Sequence, residues 1–272
     1  MNFLSLSIIF LAAGLLAIIY YLYVPTRSEL VRRLPNKISL TSVFLALVIG
    51  GVFWYTVSQT GGMHRVSQMF MFLFGLLLFE SFFLIAMKWV RSNFISVIIS
   101  LIITGIIFYI YISSPSFIFL NIIIILVTLG GATLLIRMRY LRTGILFTVA
   151  ILWTIYDIML TQYLLPTFTV PVESATPTFM FPAVTVEGLS LGSGDFMFLV
   201  LFALILLRDF GKLPAIILVG AETIGLLIIG MILPESDFLV PFLLIMTPIF
   251  IVVYALSYFD NKRKVRPVET GV

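Results

Sequence analysis

Apolar runs of about twenty residues recur along this chain and restrict its fold more than any other feature. A helix needs about 20 apolar residues to cross the roughly 30 Å hydrocarbon core of a bilayer. The runs therefore predict an all-α membrane protein with nine transmembrane helices. The predicted spans cover residues 3–23, 40–58, 68–87, 93–112, 117–136, 143–164, 191–207, 214–233 and 238–258.

Composition supports a membrane-embedded chain and excludes several classes of protein. Of the 272 residues, 61% are hydrophobic and 10% are charged, whereas about 25% are charged in soluble domains. The chain has no cysteine and one histidine, His64, so we expect no metal site and no cofactor. The basic residues form short clusters between apolar runs, which is typical of membrane flanks and not of a nucleic-acid partner.

Lysine and arginine fall in alternate loops, and this bias predicts the orientation. Fifteen of them lie after spans one, three, five and seven or in the C-terminal tail, and only Arg65 lies on the other side. By the positive-inside rule, the N-terminus is outside and the C-terminus is in the cytoplasm of a cell-membrane protein. The first run ends in aromatic residues, Tyr20–Tyr23, so we expect a retained span and not a signal peptide.

Four acidic residues lie within the predicted spans, namely Glu80, Asp157, Asp195 and Glu222. A charged residue at mid-bilayer costs at least about 2.5 kcal/mol on insertion scales, so each of the four needs a reason. For Glu80 and Glu222, a protonated carboxyl that is hydrogen-bonded to a neighbouring helix explains the residue as well as a functional role does.

The two aspartates differ from the glutamates because their depths match. Asp157 lies fifteen residues beyond Arg142 in span six, and Asp195 lies thirteen residues before Arg208 in span seven. At 1.5 Å per residue, both lie about 20 Å from the inner flank, in the outer half of the membrane. Two carboxyls a few ångströms apart share one proton, so one can activate water while the other protonates a carbonyl oxygen. Such a pair would suit aspartic proteolysis.

Small residues precede the second aspartate. Gly192, Ser193 and Gly194 leave the backbone before Asp195 uncrowded, although close helix packing explains glycines in membranes equally well. Tyr156 stands beside the first aspartate and carries a hydroxyl that either lines a cavity or packs against a neighbouring helix.

These motifs resemble those of the presenilin and signal peptide peptidase family. Tyr156-Asp157 in span six matches its YD motif, and Gly192-Ser193-Gly194-Asp195-Phe196 in span seven matches its GxGD motif. The family's third motif, Pro-Ala-Leu near the start of span nine, corresponds to Pro241-Phe242-Leu243, with phenylalanine in place of alanine. Within this family the chain most resembles an archaeal or other prokaryotic presenilin homologue.

The resemblance implies an intramembrane aspartyl protease with Asp157 and Asp195 as its catalytic residues. It implies transmembrane-helix peptides as substrates, in type II orientation. Residues 143–258 would form the catalytic part of a single polytopic domain, residues 1–136 its scaffold and residues 259–272 a cytoplasmic tail. The presenilin loop that is cut during maturation is much longer than the loop here, which indicates a protease that is active as one chain without obligate protein subunits.

The external connection of residues 165–190 contains β-prone segments, Thr167–Val170 and Val184–Val186. Prolines at four positions in this loop prevent a long helix. A substrate held in extended form would pair with an edge strand. We therefore hypothesise that the loop supplies a strand or a lid beside the aspartates, and a surface loop is an equally good interpretation.

Three other functions fit parts of the pattern. A proton- or cation-coupled transporter or channel would use the intramembrane acids as a relay, but no repeated halves are evident. A prepilin-type peptidase also has a GxGD motif, but its cytoplasmic active site and smaller number of spans do not match. A structural membrane scaffold leaves the two level aspartates unexplained.

Overall fold

The computed structural model describes residues 2–26, 28–30, 73–114, 116–159, 183–186, 189–232 and 242–265. This part of the chain is almost entirely helical, with one β-hairpin. The helices are α1 (Asn2–Tyr23), α2 (73–89), α3 (Asn93–Ser113), α4 (Phe117–Arg137), α5 (Thr143–Met159), α6 (Ser193–Phe210), α7 (Lys212–Ile232) and α8 (Leu243–Val265). The hairpin consists of β1 (Ala183–Val186) and β2 (Leu189–Gly192), and it leads directly into α6.

Five of the described helices are long and apolar enough to cross a membrane. They are Phe3–Tyr23, Asn93–Ser113, Phe117–Arg137, Lys212–Ile232 and Leu243–Lys262. Large apolar side chains on their outer faces are exposed, including Phe94, Tyr109 and Ile118, each by more than 70%. The chain therefore has the architecture of a helical membrane protein. The predicted second span, 40–58, lies outside the described residues.

Most helix ends agree with the predicted spans, and two differ for physical reasons. Residues 191–192 were predicted to begin span seven, but they belong to β2, and α6 begins at Ser193 and continues to Phe210. Helix α8 begins at Leu243 and extends to Val265, beyond the predicted end at residue 258. The polar residues 260–264 extend this helix past the apolar length that a bilayer covers.

Serine caps and one glycine explain several of the turns. The Ser92 and Ser116 side chains accept hydrogen bonds from Ile95 N and Phe119 N, which fixes the starts of α3 and α4. Gly211 ends α6 with a φ of 94°, a backbone conformation that favours glycine, and α7 begins at the next residue. The chain thereby reverses direction between α6 and α7 without a long loop.

Helix α6 lies at the centre of the described bundle. Ten consecutive residues, 198–207, are buried, although a helix at a bundle surface would bury only one stripe. Helices α1, α4, α7 and α8 pack around it. Its sequence is apolar on all faces between Asp195 and Arg208, so no polar stripe prevents other helices from packing on every side.

Helices α1 and α7 pack closely and run antiparallel. A Cβ placed on Gly14 would lie 2.5 Å from Val219 Cγ1, and one on Gly230 would lie 2.7 Å from Phe3 Cβ. The two helices can approach this closely because each presents a glycine to a large side chain of the other.

One end of the bundle carries the basic residues. The Arg137 guanidinium lies 3.8 Å from the centre of the Tyr21 ring and also donates to the Tyr21 carbonyl, which joins the ends of α4 and α1. Arg208 donates to the Leu141 carbonyl at 3.2 Å, which joins the end of α6 to the α4–α5 turn. We call this the basic end.

Ser81 connects three helices in the scaffold. Its hydroxyl donates to the Leu126 carbonyl of α4 at 2.7 Å, and its own carbonyl accepts from the Tyr20 hydroxyl of α1 at 2.7 Å. Gly130 on α4 leaves the space that Ser81 occupies, since a Cβ there would lie 2.8 Å from the Ser81 Cα. The adjacent Gly131 has no such restriction, because its nearest neighbour would be Met197 Cε at 3.6 Å.

We predict that Gly130→Ala destabilises the protein and that Gly131→Ala does not. The first substitution forces α2 away from α4, which in overpacked cores costs about 1–3 kcal/mol. Thermal unfolding of the purified protein in detergent measures the difference, and Gly131→Ala is the matched control. Equal melting temperatures for the two variants would contradict the packing described at Ser81.

Candidate functional site

Asp195 lies in the first turn of the central helix, immediately after the hairpin. Its side chain is partly buried. Ser193 and Gly194 are the first two residues of α6, and Gly192 precedes them at the end of β2. An acidic residue in the first helical turn interacts favourably with the positive end of the helix dipole. This position therefore explains how a carboxyl is tolerated where the chain enters the bundle.

The two glycines of the GxGD motif lie in different surroundings. A Cβ placed on Gly192 would lie 3.3 Å from Asp195 Oδ2, which is closer than ordinary van der Waals contact. A Cβ on Gly194 would lie 3.8 Å from Trp153 Nε1, which is an ordinary contact distance. Gly192 thus leaves room for the Asp195 carboxylate, whereas Gly194 leaves room for an indole from α5.

Helix α5 approaches the central helix through Trp153. The Trp153 and Phe198 rings are 6.0 Å apart, and the indole also reaches Gly194. Residues four apart share one face of a helix, so the helical position of Asp157 lies one turn beyond Trp153 on the face that meets α6. Trp153 could not be predicted from the sequence, because an aromatic residue in an apolar span carries no periodic or charge signal.

A polar contact at the basic end sets the relative level of α5 and α6. The Thr143 hydroxyl donates to Asp209 Oδ2 at 2.9 Å, and Arg208 Nη2 donates to the Thr143 hydroxyl at 2.9 Å. Asp157 lies fourteen residues beyond Thr143, and Asp195 lies fourteen residues before Asp209. Both backbone positions are therefore about 21 Å from this contact along antiparallel helices. The two aspartate positions thus have the same depth when it is measured from this contact, as they were predicted to have when it is measured from Arg142 and Arg208.

The side chains of Tyr156 and Asp157 lie outside the described part of the structure, which includes only their helical backbone in α5. The prediction that the two aspartate side chains meet thus stays a prediction.

Below the level of the aspartates, α5 is joined to α8 by a pair of threonines. The Thr154 hydroxyl donates to the Ala150 carbonyl at 2.8 Å. The Thr154 and Thr247 hydroxyls are also hydrogen-bonded to each other, with 3.0 Å between their oxygens. Pro248 follows within α8 and has no N–H, so the Leu244 carbonyl lacks its usual helical donor. This layer places polar backbone and hydroxyl groups one turn from Asp157, and no pattern in the sequence predicts it.

The residues assigned to the third motif begin helix α8. Pro241 lies outside the described residues, whereas Phe242 and Leu243 are both buried. The Phe242 ring lies 5.4 Å from the Phe10 ring of α1, and Phe10 lies 5.4 Å from Phe196. The aromatic residue that replaces alanine thus packs, through Phe10, against the residue that follows Asp195.

The hairpin lies between the helices and not above them. Val184 is fully buried, and β1 packs against α4 and α1. Phe10 contacts Phe196 at the start of α6, so this part of α1 lies near the level of Asp195. The eight residues of α1 that precede Phe10, from Asn2 onward, extend about 12 Å past that level. The loop was hypothesised to supply a strand or a lid, with a surface loop as an equal alternative, and its β-prone segment Val184–Val186 forms most of β1. The other β-prone segment, Thr167–Val170, lies outside the described residues.

The two intramembrane glutamates lie on helices other than those that carry the aspartates. Glu222 on α7 is fully buried, and neither of its carboxyl oxygens has a hydrogen-bond partner among the described residues. Glu80 on α2 lies near Tyr20, and its Oε1 likewise has no partner in the described ranges.

No cluster of three or more potential metal ligands occurs within the described residues. No protein-family model matches the chain, and no curated protein matches its sequence significantly.

Proposed function

We propose that this protein is an intramembrane aspartyl protease that hydrolyses peptide bonds within transmembrane helices. The observation that carries the proposal is the common level of Asp157 and Asp195, each fourteen residues from the Thr143–Asp209 contact. The proposed topology has nine spans with the N-terminus outside and the C-terminus in the cytoplasm of a cell-membrane protein. In this orientation the aspartates lie toward the exterior.

The proposed mechanism divides the work between the two carboxyl groups. One carboxylate accepts a proton from water, and the water oxygen attacks the substrate carbonyl carbon. The other carboxyl donates its proton to the carbonyl oxygen, which gives a tetrahedral diol. The carboxyl that took the water proton then donates it to the amide nitrogen, while the other carboxylate accepts a proton from a diol hydroxyl. The carbon–nitrogen bond breaks, a carboxylic acid and an amine are released, and the pair again holds one proton. The mechanism needs no metal or cofactor.

The proposed substrates are transmembrane peptides of type II orientation, and the single chain acts without obligate subunits. A helix must unwind before its peptide bond is accessible, and its freed N–H and C=O groups must be satisfied within the membrane. The hairpin is suited to this task because it lies beside Asp195 and packs between α1 and α4. We therefore assign the hairpin the role of pairing with the unwound substrate.

A proton- or cation-coupled transporter is the second candidate function. The buried Glu222, whose carboxyl oxygens have no partner among the described residues, favours it, since such groups mark proton pathways in membranes. Cleavage assays separate the two candidates, because a transporter would leave a peptide intact.

We predict that Asp157→Asn and Asp195→Asn each reduce peptide cleavage by at least about a hundredfold, since an amide cannot transfer the proton. The assay uses purified protein in liposomes with a labelled transmembrane peptide. Asp260→Asn makes the same chemical change on the exposed end of α8 and should retain full cleavage. Cleavage that persists in either active-site variant would overturn the paired-acid mechanism.

We predict that Gly192→Ala slows cleavage several-fold, whereas Gly194→Ala stays within about twofold of the wild type. The new methyl at position 192 would press on Asp195 Oδ2, whereas the one at position 194 would meet Trp153 at an ordinary distance. Small displacements of a catalytic group have large effects on rate. Cleavage rates that fall equally in both variants would contradict the assignment of separate roles to the two glycines.

We predict that replacing Ala183, Thr185 and Val186 with glycine slows cleavage several-fold while Val184 keeps the hairpin anchored. Glycine weakens strand structure because it is flexible and has no side chain to pack. The melting temperature of the variant serves as the control for folding. A folded variant with wild-type cleavage would remove the hairpin from the mechanism.

A further inference from the structure

An open cavity of about 680 Å³ lies at the basic end of the bundle, far from the two aspartates. It is formed where α4 ends, α5 begins and α6 ends. Its lining consists of Met138, Arg139, Arg142, Thr143, Arg208 and Asp209. Three of the six lining residues are arginines, and one is acidic.

The single acidic residue is already occupied by its neighbours. Asp209 Oδ1 lies 2.7 Å from Arg208 Nε, and Asp209 Oδ2 accepts from Arg208 Nη2 at 3.1 Å and from the Thr143 hydroxyl at 2.9 Å. Arg208 also donates to the Leu141 carbonyl. The Arg208–Asp209 pair is therefore part of the wall of the cavity and neutralises itself.

The remaining positive charge belongs to Arg139 and Arg142. Both side chains are exposed, and neither forms an ion pair within the described part of the chain. Helix α5 begins beside them at Thr143 and has no acidic residue in its first turn. The positive end of the helix dipole therefore adds to the two guanidinium charges.

The turn that carries these arginines is held in place. Arg139 has a φ of 59°, in the left-handed region that favours glycine. Its N–H donates to the Ile136 carbonyl at 3.1 Å, and Tyr140 N donates to the Leu135 carbonyl at 3.1 Å. These two hydrogen bonds close the end of α4 in the way common for helices whose chain turns through the left-handed region. The turn thereby places Arg139 in the lining of the cavity.

We propose that this cavity binds the phosphate group of an anionic membrane lipid through Arg139 and Arg142. Guanidinium groups bind phosphate oxygens through paired, charge-assisted hydrogen bonds. Basic pockets between transmembrane helices near the membrane surface suit anionic headgroups. Ile145, which is 45% exposed two residues into α5, offers apolar surface next to the cavity for an acyl chain.

Occupation of the cavity would act on both helices that carry the aspartates. Arg142 and Thr143 belong to the start of α5, and Arg208 and Asp209 belong to the end of α6. A ligand in this cavity therefore lies against the Thr143–Asp209 contact that joins α5 to α6. The binding itself does not depend on proteolysis.

The experiment measures lipid retention by the purified full chain with native mass spectrometry. The protein is titrated with phosphatidylglycerol or with zwitterionic phosphatidylcholine in neutral detergent. We expect tighter retention of phosphatidylglycerol, and in Arg139→Gln/Arg142→Gln we expect its affinity to fall by about tenfold or more. The control Lys88→Gln/Arg91→Gln removes the same charge from another turn at the basic end and should bind as the wild type does.

A second arm distinguishes a lipid from a soluble phosphate as the source of the ligand. Inorganic phosphate and phosphatidylglycerol are added separately to the delipidated protein in neutral detergent, and melting temperatures are recorded for the wild type and both double variants. Stabilisation by phosphatidylglycerol that phosphate does not reproduce supports the lipid. Equal stabilisation by phosphate alone would overturn the lipid assignment. Equal loss of lipid binding in both double variants would overturn the site itself, because it would show that net charge and not this cavity determines lipid binding.

Discussion

Burial of α6 on every side is the constraint on which the rest of the structure depends. Its apolar residues between Asp195 and Arg208 contact α1, α4, α7 and α8, so the surrounding helices take their positions from it. The charged residues of α6 are confined to its two ends. One end therefore becomes a polar junction with α5, and the other places a carboxyl at the point where the hairpin enters the bundle.

The polar junction at the basic end and the aromatic contact above it relate α5 to α6 at two heights. Thr143 meets Asp209, and Trp153 meets Phe198. The first contact puts the backbones of Asp157 and Asp195 at the same level. The second shows that α5 also faces α6 about one turn from the aspartates, where the indole lies between Phe198 and Gly194. Helix α5 is held from the side by α8 through Thr154 and Thr247.

Much of the fold could be predicted from the sequence because membrane spans are set by length and apolarity. The predicted spans at 93–112 and 117–136 differ from α3 and α4 by a single residue at one end. The limits of α8 were predicted less well, because its last turns are polar and extend beyond the apolar run. The start of α6 was placed two residues early, because Leu191 and Gly192 are apolar or small in a strand as well as in a helix.

The candidate site could be predicted only where charge marked it. Asp195 was evident because a carboxyl in an apolar run is rare. Trp153, Phe10 and Thr247 could not be found in this way, because their roles arise from contacts between helices that no local pattern encodes. Phe242 was a mismatch to a motif in the sequence, and the structure gives it a packing partner in Phe10.

The most direct measurement of the central claim is chemical crosslinking between positions 157 and 195. The chain has no native cysteine, so Asp157→Cys/Asp195→Cys introduces a single reactive pair, and Ile155→Cys/Asp195→Cys is the control on the opposite face of α5. A short bifunctional thiol reagent and mass spectrometry of the intact chain report the link. We expect an efficient link between positions 157 and 195 and little between 155 and 195. A link in the control pair without one between 157 and 195 would contradict a facing pair of aspartates.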